Sequence, residues 1–201
     1  MDLYKELIAQ LTTFLKSMGF SKKGNSFYLE VDKNYGVINF QKSRDSTSET
    51  ILFTINFGIY SNLLERMRLG YSESKKPEVE QCHWHARIGN FMPGGPDYWW
   101  KVNASADLRN IVSSVMDDIK NVVMPEISKR LSDEGLINSW MNESYAGTTE
   151  IGRFKYLTTL LKAKGNASLL HQVVEKFMQQ YNGRPNASMA MQHLRDIEYS
   201  K

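Results

Sequence analysis

Between Gly36 and Tyr60 the chain alternates apolar and polar side chains with a period of two, in two adjoining segments. A strand sends successive side chains to opposite faces. Ile38, Phe40, Phe53, Ile55, Phe57 and Ile59 therefore share one face, and Asn39, Gln41, Thr54 and Asn56 share the other. A third segment repeats the pattern, with Cys82, Trp84, Ala86 and Ile88 set against His83, His85 and Arg87. A short strand over 27–31 precedes these, and a last one is expected over 99–102. The polar joint from Arg44 to Glu49 favours antiparallel neighbours. The prediction is an antiparallel sheet of four or five strands, greasy on one side and amide-rich on the other.

Around this sheet the period becomes helical. Leu3, Leu7, Ile8, Leu11, Leu15 and Met18 predict a helix over about 2–18, stopped by Gly19. From 105 a second stripe runs through Leu108, Ile111, Val112, Val115, Ile119, Val122 and Val123, wide enough to cover the apolar side of a sheet. Ser105 is its expected cap and Asp107 a favourable first-turn acid. Pro125 is expected to kink or end it. Beyond it, helices are expected over 136–143, 149–164, 168–181 and 188–198. Asn166 and Asn186 stand where caps are needed. The fold class is α+β: a sheet domain over 1–145, covered on one face by the N-terminal helix and the long helix, then a helical region over 146–201. Whether that region packs on the first or stands apart is left open by the sequence.

Composition narrows the class. Apolar residues at 41% and charged residues at 23% describe a globular chain rather than a disordered one. The net charge of +3 is too small to predict nucleic-acid binding. The excess sits in the tail, where residues 149–201 hold eight Lys or Arg against four acids. Solvated helix faces account for that, and nucleic acid ranks last among the partner classes. The single cysteine, Cys82, excludes an internal disulfide and is expected on the apolar side of its strand as a buried thiol. No apolar run approaches the ~20 residues of a membrane helix, and the first residues lack the order of a signal peptide. The expectation is a cytoplasmic protein with no membrane partner.

Candidate chemistry is sparse. His83 and His85 point the same way from one strand, but zinc needs a third protein ligand and none has suitable local spacing, so no metal and no cofactor are expected. No nucleophile elbow and no phosphate-binding glycine loop occurs; Pro93-Gly94-Gly95-Pro96 reads as a turn. Of the adjacent Trp99 and Trp100, at most one belongs in the core, and the other is a candidate surface anchor. The polar sheet side is the remaining site candidate, with Asn39, Gln41, Asn56, His83, His85 and Arg87 converging on it. A plain solvated sheet face is the competing explanation.

Several blocks resemble, in order, the bacterial family catalogued as domain of unknown function 4304. They are Gly19-Phe20-x-Lys22-Lys23-x-Asn25-x-Phe27-Tyr28, Val37 to Ser43, Phe53 to Tyr60, Arg87-Ile88-Gly89 and Asp97-x-Trp99-Trp100. The likeness covers about residues 1–130 and carries no established catalytic residues. It implies a domain of the kind that can accompany secreted toxins as an immunity protein, and it adds Asp97 and Trp100 to the residues worth testing. Two functions follow as expectations. The first is a non-enzymatic protein-binding module that neutralises a partner such as a toxin by occlusion. The second is a small enzyme using a His/Arg site built from His83, His85 and Arg87.

Overall fold

The computed structural model describes residues 3–68, 76–103 and 108–199. The expected helix cap at Ser105 and Asp107 lies outside them. Helix α1, Leu3–Ser17, leads into strands β1, Ser21–Lys23, β2, Ser26–Val31, β3, Asn34–Lys42, and β4, Thr50–Tyr60. These four pair antiparallel in chain order. β1 falls in a stretch that reads as loop, because Ser-Lys-Lys shows no apolar alternation and is exposed throughout.

The other edge of β4 is shared. β5, Trp84–Arg87, pairs with Asn56 to Ile59, and β6, Trp100–Asn103, pairs with Thr50 to Phe53. The two short strands thus lie end to end along one neighbour, as a single edge strand interrupted by residues 88–99. That excursion starts as a 3₁₀ turn over Ile88–Phe91 and returns through Pro93 to Pro96. Thr54 stands opposite the interruption and donates its hydroxyl to the Tyr98 carbonyl at 3.0 Å. The class is α+β, with an antiparallel sheet of six strands among the described residues.

The apolar sheet face is dry. Ile38, Phe53, Ile55, Phe57, Ile59 and Trp84 are each fully buried. Leu7, Leu11 and Leu15 of α1 and Val115, Ile119, Val123 and Ile127 of the long helix pack in the same cluster. The long helix runs as α3, Leu108–Asp118, a π-helical segment, Ile119–Val123, and α4, Met124–Arg130. The helix does not end at Pro125; its α-helical pattern is interrupted just before the proline instead. The wider π turn precedes the proline, which then occupies the first turn of α4, where its missing N–H costs least.

After α5, Asp133–Asn142, come α6, Glu150–Ala163, α7, Ala167–Tyr181, and α8, Pro185–Asp196. Asn166 caps α7, accepting from Leu169 N–H at 3.3 Å. Asn186 does not cap α8, because Pro185 starts that helix one residue earlier. Helix α6 touches both α5 and the short α2, Asn62–Arg66, and the apolar side chains of α6–α8 belong to the same cluster as the sheet core. No described helix is long and apolar enough to cross a membrane.

The segment joining α5 to α6 is laid on the sheet edge. Gly147 accepts the His85 backbone N–H at 2.9 Å, and Tyr145 donates its hydroxyl to the His85 carbonyl at 3.2 Å. Trp84 is enclosed here between the Arg130 guanidinium, 4.1 Å from its ring centroid, and the Gly147 backbone. Arg130 is 1% exposed and reaches Glu126 on its own helix and Glu143 beyond α5.

Candidate functional site

The polar side of the sheet is divided into three parts. At one end, Tyr28, Val37 and Tyr60 form a second small core with Val79 and Cys82. The chain over Val79–Gln81 makes a 3₁₀ turn on top of the sheet, and Cys82 packs over Gly58, where a Cβ would come within 2.7 Å of the cysteine Cβ. Cys82 is therefore buried on the polar side of the sheet, not with Trp84 and Ala86. It precedes β5 and lies outside the ladder, so strand alternation does not govern it. Burial drives its thiol pKa upward, which leaves it protonated and unreactive.

At the other end, the 88–99 excursion covers Thr54. Between these ends lies an uncovered strip. The ladder sets Ser26 opposite Asn39, Asn39 opposite Asn56, and Asn56 opposite Arg87, so four strands bring their polar side chains into one row. Asn56 Nδ2 donates to Gln41 Oε1 at 2.7 Å, and Asn39 Nδ2 to Ser26 Oγ at 2.9 Å. Arg87 directs Nε toward Asn56 Oδ1 at 3.4 Å and a terminal nitrogen toward Gln41 Oε1 at 3.5 Å. Its guanidinium carbon lies 5.1 Å from the Trp99 ring centroid, and Asp97 approaches within 3.8 Å. Arg87 sits where β5 ends and Trp99 where β6 is about to begin, so the excursion folds back to place an aromatic face against the arginine.

Other candidates lie elsewhere. Trp100 is buried and stacks on Phe53 with ring centroids 5.2 Å apart. It belongs to the apolar core, and the alternation across β6 leaves Trp99 alone to reach the polar side. His83 is also separated from the strip. It is 6% exposed, wedged against the rings of Tyr60 and Tyr156, and its Nδ1 accepts the Ser61 N–H at 3.1 Å. Ser61 in turn caps α2 and donates to Asp133 Oδ1 at 2.7 Å, and Asn34 links the same region to the Leu131 carbonyl. His83 is thus part of a polar clamp holding β4, α2, α5 and α6 together. His85 alone of the pair faces outward, with Nδ1 3.4 Å from the Cys82 carbonyl oxygen. The two imidazoles do not share a surface. Among the described residues no three His, Cys, Asp or Glu side chains group as metal ligands.

Burial, with the nearby Arg68 charge adding to it, lowers the His83 pKa from 6.5 to about 4. The sign follows directly. Above pH 6.5 the imidazole is neutral in both states; below it the unfolded chain takes the proton first, so stability falls with pH until the folded imidazole titrates. By pH 4 the loss from His83 is about 3 kcal/mol. His193, half-buried and touching Thr158 at 3.0 Å, is lowered likewise by burial and adds to the trend. Urea melts of a His83→Asn variant, whose amide oxygen replaces Nδ1 as acceptor for Ser61, are expected to show a flatter decline between pH 6.5 and 4.

Two concavities flank these features. A cleft of about 970 Å³ opens between the 76–83 segment, α2, α6 and α8. Its walls carry Lys23, Arg68, Lys76 and Lys155 against Glu65, Glu78, Glu80 and Asp196, a balance that selects no ligand charge. A smaller depression of about 270 Å³ lies beside Arg87, among Gln41, Asn56, Val79, Glu80, His85, Ala86 and Tyr145. Tyr145 is the functional candidate that sequence reasoning passed over, since its segment reads as a joint between regions. Its hydroxyl accepts from Asn90 Nδ2 at 2.6 Å and its ring packs on Trp84 and Phe91.

An antiparallel α+β domain with a hydrogen-bonded amide and arginine strip is the class that fold and site define. The family model described as Domain of unknown function (DUF4304) matches residues 11–129, and the chain belongs to that family. No curated protein matches the chain. No solved structure matches it.

Proposed function

We propose that this chain is a non-enzymatic protein-binding module whose partner seats on the uncovered strip of the sheet, and that it acts as an immunity protein, neutralising a toxin by occlusion. One observation carries this proposal: Arg87 is held in place on the face of Trp99 by two side-chain amides, before any partner is present. Ordering a free arginine at an interface costs about 0.5–1.5 kcal/mol, and a guanidinium already positioned avoids most of it. Trp and Arg are also the residues most enriched among interface anchors. A standard interface of about 1,600 Å² centred here is large enough to cover a partner's active site. The sheet domain, 1–145, carries the recognition surface in this proposal, and the helical region, 146–201, braces it from the side.

An enzyme built on His83, His85 and Arg87 draws less support. His83 Nδ1 is occupied by Ser61 and its ring is enclosed by two tyrosines, so only His85 and Arg87 remain near one another. Co-purification of the full chain from its source cells, together with products of neighbouring genes, tests the proposal. A stoichiometric protein partner, released by Trp99→Ala, is the expected result. The proposal fails if no protein is retained at equal stoichiometry.

A further inference from the structure

We infer that the Arg87 socket receives a carboxylate, supplied by a glutamate or aspartate side chain on an acidic surface of the partner. The inference rests on the proposed protein-binding role and specifies the chemistry of that contact.

The charge balance around Arg87 carries it. The guanidinium is positioned by neutral groups, namely the Trp99 face and the amide oxygens of Asn56 and Gln41, the last two at long hydrogen-bond distances of 3.4 and 3.5 Å. Among the described residues its ion-pair partner is Asp97, which is 92% exposed and 3.8 Å away, so solvent screens most of that attraction. This contrasts with Arg130, which has two carboxylates within direct hydrogen-bond reach. Arg87 is therefore fixed in direction while its charge is not matched at close range. Such a fork suits a planar carboxylate, which accepts two parallel N–H bonds.

The depression beside it supplies a seat. Its volume of about 270 Å³ lies just below the usual range of small-molecule pockets and accommodates a side chain. Gln41 accepts from Asn56 and Arg87 through its oxygen and lines the depression, and its amide NH₂ is a second donor group at the same residue. Tyr145, from the segment outside the family match, forms another wall and gives the seat a feature that the family domain alone does not supply. Glu80 also lines the depression and opposes an incoming carboxylate, which makes the electrostatics testable from both sides.

The probe is the blocked tripeptide acetyl-Gly-Glu-Gly-amide, with its lysine counterpart as the contrast, titrated into the isotope-labelled full chain and followed by NMR. The glutamate peptide is expected to shift the Arg87 Nε–H and the side-chain amides of Gln41 and Asn56. Arg87→Gln is expected to weaken that response roughly tenfold, the loss of one charge-assisted contact. Glu80→Gln is expected to strengthen it. Equal shifts from the lysine peptide, a response unchanged by Arg87→Gln, or no shift at these groups would each overturn the inference. The broader role is separable. A co-purified partner released by Trp99→Ala, but indifferent to both Arg87→Gln and Glu80→Gln, would leave protein binding standing and remove the carboxylate.

Discussion

Arg130→Ala is expected to lower the free energy of unfolding by about 3–4 kcal/mol, a large share of what a domain of this size possesses. Arg130 is buried at the junction of the long helix, the sheet edge and the start of the tail, with one nitrogen 2.5 Å from Glu126 and another bonded to Glu143. Removing it takes one partner from each of two half-buried carboxylates, leaving Glu143 its Lys129 contact, and opens a cavity against the face of Trp84. Burial alone would raise the Glu143 pKa, but Lys129, Arg130 and Ser139 together hold it below the usual carboxylate value. Urea denaturation followed by tryptophan fluorescence reads the loss. Arg130→Lys is expected to recover little of it, since an ammonium cannot span both acids and cover the indole as a planar fork does. Neutralising both acids in the alanine background, through Glu126→Gln and Glu143→Gln, is expected to restore part of the stability. An alanine variant as stable as the parent would show that the junction contributes nothing.

Gly147→Ala is expected to cost about 2–4 kcal/mol, from a left-handed backbone strained by a side chain and from overpacking. Gly147 has φ +63°, and a Cβ there would fall 2.3 Å from the Trp84 ring. The Trp84 indole is fully buried among Arg130, Phe57, Phe91 and Tyr145, so it has little room to move. The expected structural result is release of the 144–149 segment from the β5 edge. Hydrogen exchange at the His85 amide, which donates to Gly147, reports that release directly, and Tyr145 should leave the candidate seat with it. Full protection of the His85 amide in the variant would contradict this account of the edge.

These positions also show where sequence reasoning reaches and where it stops. The strands were legible because Ile38, Phe40, Phe53, Ile55, Phe57 and Ile59 sit in an unbroken ladder, in which period two fixes the face. The same rule misplaced Cys82, since the 3₁₀ turn before β5 takes that residue out of the ladder, and it could not reveal that Tyr60 and Tyr156 enclose His83. Asn39, Gln41, Asn56 and Arg87 could be grouped from alternation alone. The meeting of Arg87 with Trp99 could not, because it depends on how the 88–99 excursion closes on itself. Arg130 reads in sequence as one more charge on a helix, and Gly147 as part of a linker. Their importance comes from long-range packing around Trp84, for which no local pattern exists.

The most direct test of the central claim is the affinity of the captured partner for Trp99→Ala compared with Lys176→Gln, a substitution on the exposed side of α7, both measured by calorimetry. If the arginine held on the indole is the recognition anchor, the tryptophan variant should bind about 30-fold more weakly, as for an interface hot spot, while the lysine variant matches the parent. Parental affinity in Trp99→Ala, with its fold intact by circular dichroism, would contradict the claim.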